Sequence, residues 1–470
     1  MSSEHSNNDN PYRSRAQDPQ HGASQNSQGE LRETTDPVVR MKLFLMMVLQ
    51  FFIWGAWLPL IFGYLPSLGF TPGQQSAILN AFPIAAIVGM FFSNQFADRN
   101  FSAERFLAFS HLVGGLAMLG CGFTTSFLPF FLLMLVHCLL YVPTISITNS
   151  IAFANIRNPQ GEFGPIRMGG TIGWILAAWP FTFILVDWSK VQAANADGFL
   201  SWIGVVLSSG LTGTPLQEAT KWTFIVAGVA SLLLAAFSMT LPHTPPKKAV
   251  GGETETLAWL EAVKLLKHPF VLVLWVVTLA DSFVHNCYFN WTGSFLGAST
   301  EVGGVGIAGN LIMPVMSVGQ IAEILTMLAL GITLKNLGWR ATMIIGVLGH
   351  AARFAVYAFF PQQAWLIIVV QVLHGICYAF FFATVYIFVD EYFPKDVRNS
   401  AQGLFNVMIL GVGALVANSI CPMLSQQVFT SNGVTNFQGL FLVPCAIATI
   451  AAIALALFFH PPTRTQSESA

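Results

Sequence analysis

The sequence predicts an all-α membrane protein with about twelve transmembrane helices. Only 9% of its residues are charged and 54% are hydrophobic, whereas about 25% of the residues in a soluble domain are charged. The mean hydropathy is +0.62. Apolar runs of about 20 residues, the length that crosses a bilayer, follow one another along most of the chain. Composition and run length together place the chain in the polytopic membrane class.

The apolar runs fall into two groups of six. The first group lies near 41–65, 75–97, 104–123, 126–152, 166–186 and 222–241. The second lies near 269–297, 305–334, 340–360, 364–391, 398–422 and 438–460. The predicted organisation is a disordered cytoplasmic tail (1–40), an N-terminal six-helix half (41–241), a cytoplasmic linker (242–268), a C-terminal six-helix half (269–460) and a cytoplasmic tail (461–470). Two six-helix halves around a charged linker are the plan of the major facilitator fold.

The distribution of Lys and Arg predicts the orientation in the membrane. Basic residues gather in alternate loops, for example at Arg99, Lys247 and Lys335, while the opposite loops contain only Lys190 and Lys221. Since cytoplasmic loops carry the excess of positive charge, both termini are expected in the cytoplasm. The chain is then a multi-pass protein of the cell (inner) membrane. The long outer connection 187–221 is predicted to form a surface helix or cap, because its apolar piece is too short to span.

Several classes of function are disfavoured by the composition. The net charge is -1, so a nucleic-acid partner, which needs a large basic surface, is not expected. The six cysteines form no CxxC pair, so neither a zinc site nor a disulfide framework is indicated. No catalytic constellation of the common hydrolase or nucleotide-binding types is present. The chain is therefore not expected to be an enzyme or to hold a cofactor or a metal.

One polar line interrupts the run 305–334. Ser317, Gln320 and Glu323 follow one another in steps of three, which places them on one face of a helix. An ionised carboxylate near the middle of a membrane costs about 3 kcal/mol. Glu323 is therefore predicted to face the interior of a helix bundle or a wet cavity, where it is a candidate functional residue. The alternative is a structural hydrogen bond to a neighbouring helix.

A second polar face opens the run 166–186. Arg167, Thr171 and Trp174 step by four and three residues and share one face of the predicted helix. Gly169 and Gly173 form a GxxxG motif that permits the close approach of another helix. Arg167 is either a ligand-binding cation or an interfacial charge that snorkels to the membrane surface.

Two further runs combine polar groups with aromatic rings. His374 and Tyr378 are four residues apart, a spacing that pairs the imidazole with a phenol. The run 269–297 is the richest in polar side chains, and those are Asp281, His285, Asn286, Tyr288 and Asn290. Amides, hydroxyls, rings and a few ionisable groups in both halves suit a neutral, flat solute with several hydroxyls. A phosphorylated solute is disfavoured, because Arg167 and Arg353 are too few inward cations.

Five segments resemble a known family. They are LQFFIWGAWL, YVPTISITNSIAF, GPIRMGGTIGW, SVGQIAEILTM and VRNSAQGLF, which keep their order over nearly all of 41–460. With these segments the chain resembles the bacterial nucleoside:proton symporters (nucleoside permeases) of the major facilitator superfamily. The resemblance implies a secondary transporter that imports nucleosides with protons by alternating access.

The resemblance also implies roles for individual residues. The implied substrate-binding residues are Arg167, Thr171, Trp174, Asn286, Phe289, Gln320, Glu323, His374 and Tyr378. Glu323 and His374 are implied in proton coupling. The family's permeases can have an aspartate directly after the position of Tyr378, where this chain has Ala379, so His285 and Asp281 are further candidates to titrate. The charged residues expected to clasp an inward gate are Arg157, Asp390, Glu391, Lys395 and Arg398.

The expected partners are thus a small nucleoside, protons and the lipid bilayer, and the chain is expected to be a monomer. Two alternatives remain open at this point. One is a permease of the same fold for another neutral solute, such as a sugar, a nucleobase or a peptidoglycan fragment. The other is a membrane receptor that binds a nucleoside without moving it.

Overall fold

The computed structural model describes residues 34–89, 101–246, 263–393 and 398–460. Helices make up nearly all of this part of the chain. Up to the central linker they are α1 (Pro37–Ser67), α2 (Pro72–Leu79), α3 (Ala81–Val88), α4 (Ala103–Cys121), α5 (Phe127–Asn155), α6 (Pro159–Ala178), α7 (Phe181–Ile184), α8 (Trp188–Ala193), α9 (Phe199–Ser208), α10 (Gly213–Ala219) and α11 (Lys221–Ser238).

The helices after the linker are α12 (Pro269–Gly297), α13 (Gly309–Phe359), α14 (Ala364–Val370), α15 (Val372–Cys377), α16 (Thr384–Tyr392), α17 (Arg398–Asn406), α18 (Gly413–Met423) and α19 (Phe437–Phe458). The π-helical turns Tyr378–Ala383, Val407–Val412 and Leu424–Val428 join neighbouring pieces into longer rods. Short 3-10 turns occur at Leu265–Lys267 and Thr300–Val302. A hairpin of β1 (Thr430–Ser431) and β2 (Val434–Thr435) precedes α19.

Within the described residues, eight helices are long and apolar enough to cross a membrane. One of them, α13, consists of two helices that meet at Gly338. The positive φ of 73° at Gly338 is a backbone conformation that glycine adopts without strain. The predicted runs 305–334 and 340–360 therefore correspond to the two parts of α13. An all-α membrane protein is confirmed, while the number twelve and the division into halves at 41–241 and 269–460 stay predictions.

Helices α1 and α6 pack closely because glycines replace side chains along their contact. A Cβ atom at Gly173 would overlap the backbone carbonyl of Val48, and one at Gly169 would lie 2.8 Å from the carbonyl oxygen of Phe44. The predicted role of the GxxxG motif is confirmed, with α1 as the partner helix. This contact fixes the face of α6 that carries Arg167, Thr171 and Trp174 relative to α1.

The connection 187–221 forms a cap of short helices, α8 to α10, over one end of the bundle, which we call the capped end. Val186 and Gly210 form an antiparallel bridge at its base. Asn310, at the start of α13, donates hydrogen bonds to the backbone carbonyls of Thr182 and Val206 at 3.2 Å and 3.1 Å. The cap predicted from the sequence therefore exists, and it ties the first half of the chain to the beginning of α13.

A second polar contact joins the two parts of the chain at the capped end. The amides of Gln75 and Gln426 hydrogen-bond each other at 2.7 Å and 3.2 Å. Asn80 donates to the hydroxyl of Ser419 at 2.9 Å. The amide of Asn418 donates to the carbonyl of Leu79 at 3.0 Å. Helix α2 and the residue after it are thus fastened to α18 and the turn after it.

The opposite end of the first half is held by Glu162, in the first turn of α6 and before the predicted span. Thr35 donates to its carboxylate from both its hydroxyl, at 2.6 Å, and its backbone N–H, at 2.9 Å. The backbone N–H of Asn158 also donates, at 3.1 Å, and the guanidinium of Arg40 lies at 3.6 Å. These hydrogen bonds, the one from the Thr35 hydroxyl foremost, lower the pKa of Glu162 to about 2 from its ordinary 4.5.

Gly173→Ala is expected to destabilise the protein by about 1–3 kcal/mol, because the added methyl group separates α1 from α6. Gly164→Ala, on the same helix, is the matched control, since nothing lies within 4 Å of the position of its Cβ. Thermal unfolding in detergent measures both variants. Equal melting temperatures for the two variants would contradict this account of the contact.

Glu162→Gln is expected to lower the melting temperature at neutral pH, because the charged acceptor of the Thr35 hydrogen bonds is lost. A lowered carboxyl pKa contributes stability that is present above pH 4.5 and is lost as the pH falls through about 2. The difference between the variant and the natural protein should therefore be complete at pH 7 and decline as the pH falls from about 4.5 to about 2. A difference that stays constant over this pH range would show an ordinary glutamate and overturn this assignment.

Candidate functional site

A cavity of about 250 Å³ lies inside the bundle, between helices of the first and the second part of the chain. Helices α1, α3 and α6 form one wall, and α12, α13, α15 and α18 with their adjoining π-helical turns form the other. The nine residues predicted to bind substrate all line it, namely Arg167, Thr171, Trp174, Asn286, Phe289, Gln320, Glu323, His374 and Tyr378. Residues from four separate predicted runs therefore meet at one place.

Glu323 is half-buried and faces this cavity, not the lipid side of α13. Across the cavity, the guanidinium of Arg167 lies over the ring of Phe51, at 4.3 Å from the ring centre. This inward position of Arg167 contradicts the interfacial, snorkelling alternative. Arg167 and Glu323 interact electrostatically across the space. The cavity thus has one cationic and one acidic wall.

Aromatic rings cover the wall formed by the first part of the chain. Trp54 stacks on Phe82 with ring centres 4.6 Å apart and an angle of 17°. The edge of Trp174 meets Trp54 at 5.1 Å, and Trp174 also meets Phe289 at 6.3 Å. The indole N–H of Trp54 has no hydrogen-bond partner within the described residues. These rings form a flat apolar surface with a free donor at its margin.

The opposite wall supplies polar groups. The amide of Asn286 donates to the carbonyl of Ser282 at 2.8 Å, which orients this side chain along α12. The side-chain oxygen of Gln320 is buried and has no partner among the described residues. With Glu323 one turn further along α13, the wall offers two acceptors side by side. Such a pair suits the hydroxyl donors of a solute.

His374 has a different hydrogen-bond partner from the one predicted. The sequence spacing paired it with Tyr378, but its Nδ1 accepts a hydrogen bond of 3.0 Å from Nη1 of Arg353. Tyr378 lines the cavity beside it. The prediction was wrong because helical spacing identifies neighbours on the same helix, whereas Arg353 reaches His374 from the second part of α13.

A group of buried polar residues in the first part of the chain lies away from the cavity. Gln50 donates to the hydroxyl of Thr144 at 2.9 Å and also bonds Nε2 of His111 at 2.9 Å. The hydroxyl of Tyr141 donates to the carbonyl of Gln50 at 2.6 Å. These residues are buried and satisfy one another between α1, α4 and α5, so they stabilise the first half and do not line the cavity.

The predicted inward gate is only partly within the described residues. Lys395 lies outside them, and so do the side chains of Asp390 and Arg398. Glu391 is exposed at the end of α16. The backbone N–H of Arg157 donates to the hydroxyl of Thr35 at 2.8 Å, which joins it to the first half. The clasp of charges across the gate therefore stays a prediction.

Several cavity residues lie outside the nine that were predicted to bind substrate. Phe51 and Trp54 on α1 and Phe82 on α3 provide most of the aromatic wall, and Asn418 reaches the cavity from α18. Trp54 carried a recognisable signal, because it lies in the segment LQFFIWGAWL of the family resemblance. Phe82 and Asn418 carried none, since a single phenylalanine or asparagine in an apolar run is common in buried helices.

The sequence model of the family described as nucleoside H⁺ symporter matches residues 38–214 and 196–464. The chain belongs to the nucleoside H⁺ symporter family. YegT of Escherichia coli (strain K12), named as a candidate nucleoside transporter, is 31% identical over 89% of this chain and 93% of its own. Xanthosine permease of the same organism is 28% identical over 88% of this chain and 94% of its own.

Solved structures agree on the fold. The crystal structure of the nucleoside transporter NupG superposes with a TM-score of 0.73 at 23% identity, over 90% of this chain and 100% of that chain. A D-xylose–proton symporter superposes with a TM-score of 0.60 at 14% identity, over 90% of this chain and 98% of that chain. This member of the nucleoside H⁺ symporter family thus has the major facilitator fold. It is a multi-pass membrane transporter that moves nucleosides with protons, and not an enzyme.

Proposed function

We propose that the nucleoside binds in the central cavity and that Glu323 carries a coupled proton during import. The observation that carries the proposal is the position of Glu323, which faces the cavity from the middle of the first part of α13, beside the Gln320 oxygen that has no partner among the described residues. An acid in this position either touches the solute or exchanges a proton with the cavity. Glu323 performs both functions in this proposal, so the solute and the proton bind in the same cavity.

The chemistry of the two walls suits the two parts of a nucleoside. The stacked rings of Trp54 and Phe82, with Trp174 at their edge, offer a flat surface for the base. Gln320 and Glu323 accept hydrogen bonds from the ribose hydroxyls, and Arg167 and Thr171 donate to the carbonyl groups of the base. Asn286, Phe289, His374 and Tyr378 complete the binding surface. His374 shares the proton-coupling role with Glu323.

The polar contacts at the capped end indicate which side of the site is closed. Helix α2 is fastened to α18, and Asn310 fastens α13 to the cap. A second cavity of about 250 Å³ lies beneath α10, and Phe62 and Phe289 belong to the walls of both cavities. With the cap on the outer side, import by alternating access begins when these contacts open and the two phenylalanines separate. The charges Arg157, Asp390, Glu391, Lys395 and Arg398 clasp the inner side at that stage.

The remaining features follow from orientation and composition. Both termini lie in the cytoplasm, the membrane is the inner (cell) membrane, and the chain acts as a monomer. Nucleic acid is not a partner, because the net charge is -1.

Glu323→Gln is expected to reduce nucleoside accumulation driven by a proton gradient by at least about tenfold, while exchange of internal for external nucleoside continues. The amide keeps the hydrogen-bonding shape but cannot carry the proton. Uptake of radiolabelled uridine or adenosine into proteoliposomes measures both activities. Glu301→Gln, an exposed acid of the loop before α13, is the matched control and keeps both. Accumulation by Glu323→Gln at the natural level would overturn the coupling role.

Trp54→Ala is expected to weaken nucleoside binding by about 10–100-fold, because an aromatic platform contributes about 1–3 kcal/mol for each stacked base. Trp54→Phe should retain most of the affinity. The control is Trp365→Ala, whose ring is 66% exposed and lies outside the cavity. Equilibrium binding of labelled uridine measures the three variants.

Competition against labelled uridine by unlabelled solutes tests the solute class. If a sugar or a free nucleobase competes as well as a nucleoside, the solute class proposed here is wrong.

A further inference from the structure

A second group of ionisable side chains lies behind the cavity wall, in the second part of the chain. Asp281, His350 and Arg353 are each 0% exposed, and His374 is 3% exposed. They come from three different helices, α12, the second part of α13, and α15. Charged groups in a membrane interior are expensive and mark functional positions by default. We call these four residues the buried charge cluster.

Arg353 organises the buried charge cluster. Its Nη1 donates to Nδ1 of His374 at 3.0 Å and its Nη2 donates to Nδ1 of His350 at 2.9 Å. Its guanidinium also lies over the ring of Tyr288, at 4.2 Å from the centre. A guanidinium has only donors, so both imidazoles must accept at Nδ1. Each neutral imidazole then carries its own proton on Nε2.

Asp281 carries the negative charge that balances Arg353, and His350 lies between the two. Nε2 of His350 lies 3.7 Å from Oδ2 of Asp281, so the imidazole stands between the guanidinium and the carboxylate. Both carboxylate oxygens of Asp281 are buried without a hydrogen-bond partner in the described part of the chain. A buried acceptor that makes no hydrogen bond is costly, and a proton would satisfy it.

The other titratable groups around the buried charge cluster are neutral in their ordinary state. Cys377 on α15 interacts electrostatically with Asp281, and His285 lies one helical turn from Asp281 on α12. Tyr288 and Tyr357 lie beside Arg353. Arg353 is thus the only permanent charge that the described neighbours present to Asp281. Protonation of Asp281 would change the pair from neutral to singly positive.

His285 connects the buried charge cluster to the cavity. It lines the cavity, it lies one helical turn from Asp281, and its Nδ1 has no partner among the described residues. Its ring is 4.9 Å from the ring of His374 and 5.7 Å from that of His350. An imidazole in this position accepts a proton at one nitrogen and releases one from the other.

The cluster also shares a wall with Glu323. A Cβ atom at Gly375 would overlap the backbone nitrogen of Glu323, and one at Gly319 would lie 2.8 Å from Cβ of His374. The two glycines therefore let α13 and α15 approach closely, which places the backbone next to His374 against that of Glu323.

We propose that Asp281 is a second proton-binding site of the transporter, loaded from the cavity through His285 and coupled to the substrate through the Arg353–His374 hydrogen bond. One proton leaves the cavity water, passes across the imidazole of His285, which accepts it at one ring nitrogen and releases one from the other, and forms an O–H bond on the Asp281 carboxylate. The same bond breaks when the proton returns to the cavity in the other conformation. Loading removes the counter-charge of Arg353, which changes its hold on His374 in the cavity wall.

The inference rests on the proposed function and predicts the number of protons that accompany each nucleoside. If both Glu323 and Asp281 load and unload in each cycle, two protons accompany each nucleoside. At zero membrane potential, a nucleoside gradient of about 100-fold is then balanced by a proton gradient of about tenfold, whereas one proton per nucleoside requires about 100-fold. Proteoliposomes clamped with potassium and valinomycin, with labelled uridine as the probe, allow the balance point to be measured.

For the natural protein, the measured balance between the nucleoside and proton gradients is expected to correspond to two protons per nucleoside. For the double variant Asp281→Asn with Arg353→Gln, it is expected to correspond to one. The double variant removes both charges together, so no unpaired buried charge is left to unfold the protein. His137→Gln is the matched control, since His137 is also 0% exposed and its only described hydrogen bond is to the uncharged carbonyl of Gly114. This variant is expected to keep two protons per nucleoside.

A natural protein that balances at one proton would overturn the second site, and this measurement does not depend on how any variant folds. A double variant that still balances at two would also overturn it. A natural protein whose uridine accumulation ignores the proton gradient would instead contradict the proposed function itself. The two failures are therefore distinguishable in one assay.

Discussion

The cost of placing charge inside a membrane governs this structure. An ionised side chain at mid-membrane costs about 3 kcal/mol when lipid surrounds it, and Glu323, Arg353 and Asp281 all occupy interior positions. Glu323 faces a cavity, while Arg353 is enclosed by imidazoles and an aromatic ring. Both arrangements require helices from distant parts of the chain to pack around the charge. The fold can therefore be understood as the enclosure of a few ionisable groups that lipid cannot accommodate.

Local periodicity was sufficient to predict much of the site. Gln320 and Glu323, one helical turn apart, face the cavity together, and so do Arg167, Thr171 and Trp174. The glycines of the GxxxG motif meet α1 as expected. These features depend only on which residues share a helix face, which the sequence states directly. The choice among Asn286, Phe289, His374 and Tyr378 came from the family resemblance, and the structure brings these residues to the same cavity.

Contacts between helices were beyond the reach of the sequence. Arg353 bonds His374, and His350 faces Asp281, although the members of each pair lie on different helices. Periodicity cannot say which helix packs against which, so it does not show that Gln50 and Thr144 bond His111 and leave the cavity wall to other residues. The aromatic partners of Trp54 were missed for the same reason. Long-range packing decides whether a polar residue is a ligand or a structural group.

The two parts of the chain treat their buried histidines differently, and this difference separates the two tasks of a symporter. In the first part, the described partners of His111 and His137 are uncharged hydroxyls, an amide and a carbonyl. In the second part, His350 and His374 are held by a guanidinium, and a carboxylate faces one of them. A network of neutral hydrogen-bonding groups keeps its charge when the pH changes. An acid beside a cation, in contrast, can change its charge with pH. Under the proposed function, the first part thus supplies a fixed aromatic surface for the base, and the second part supplies the groups that gain and lose protons. Because the cavity lies between them, the base meets one wall while the ribose and the proton meet Glu323 on the other, which is the geometric condition for coupling them.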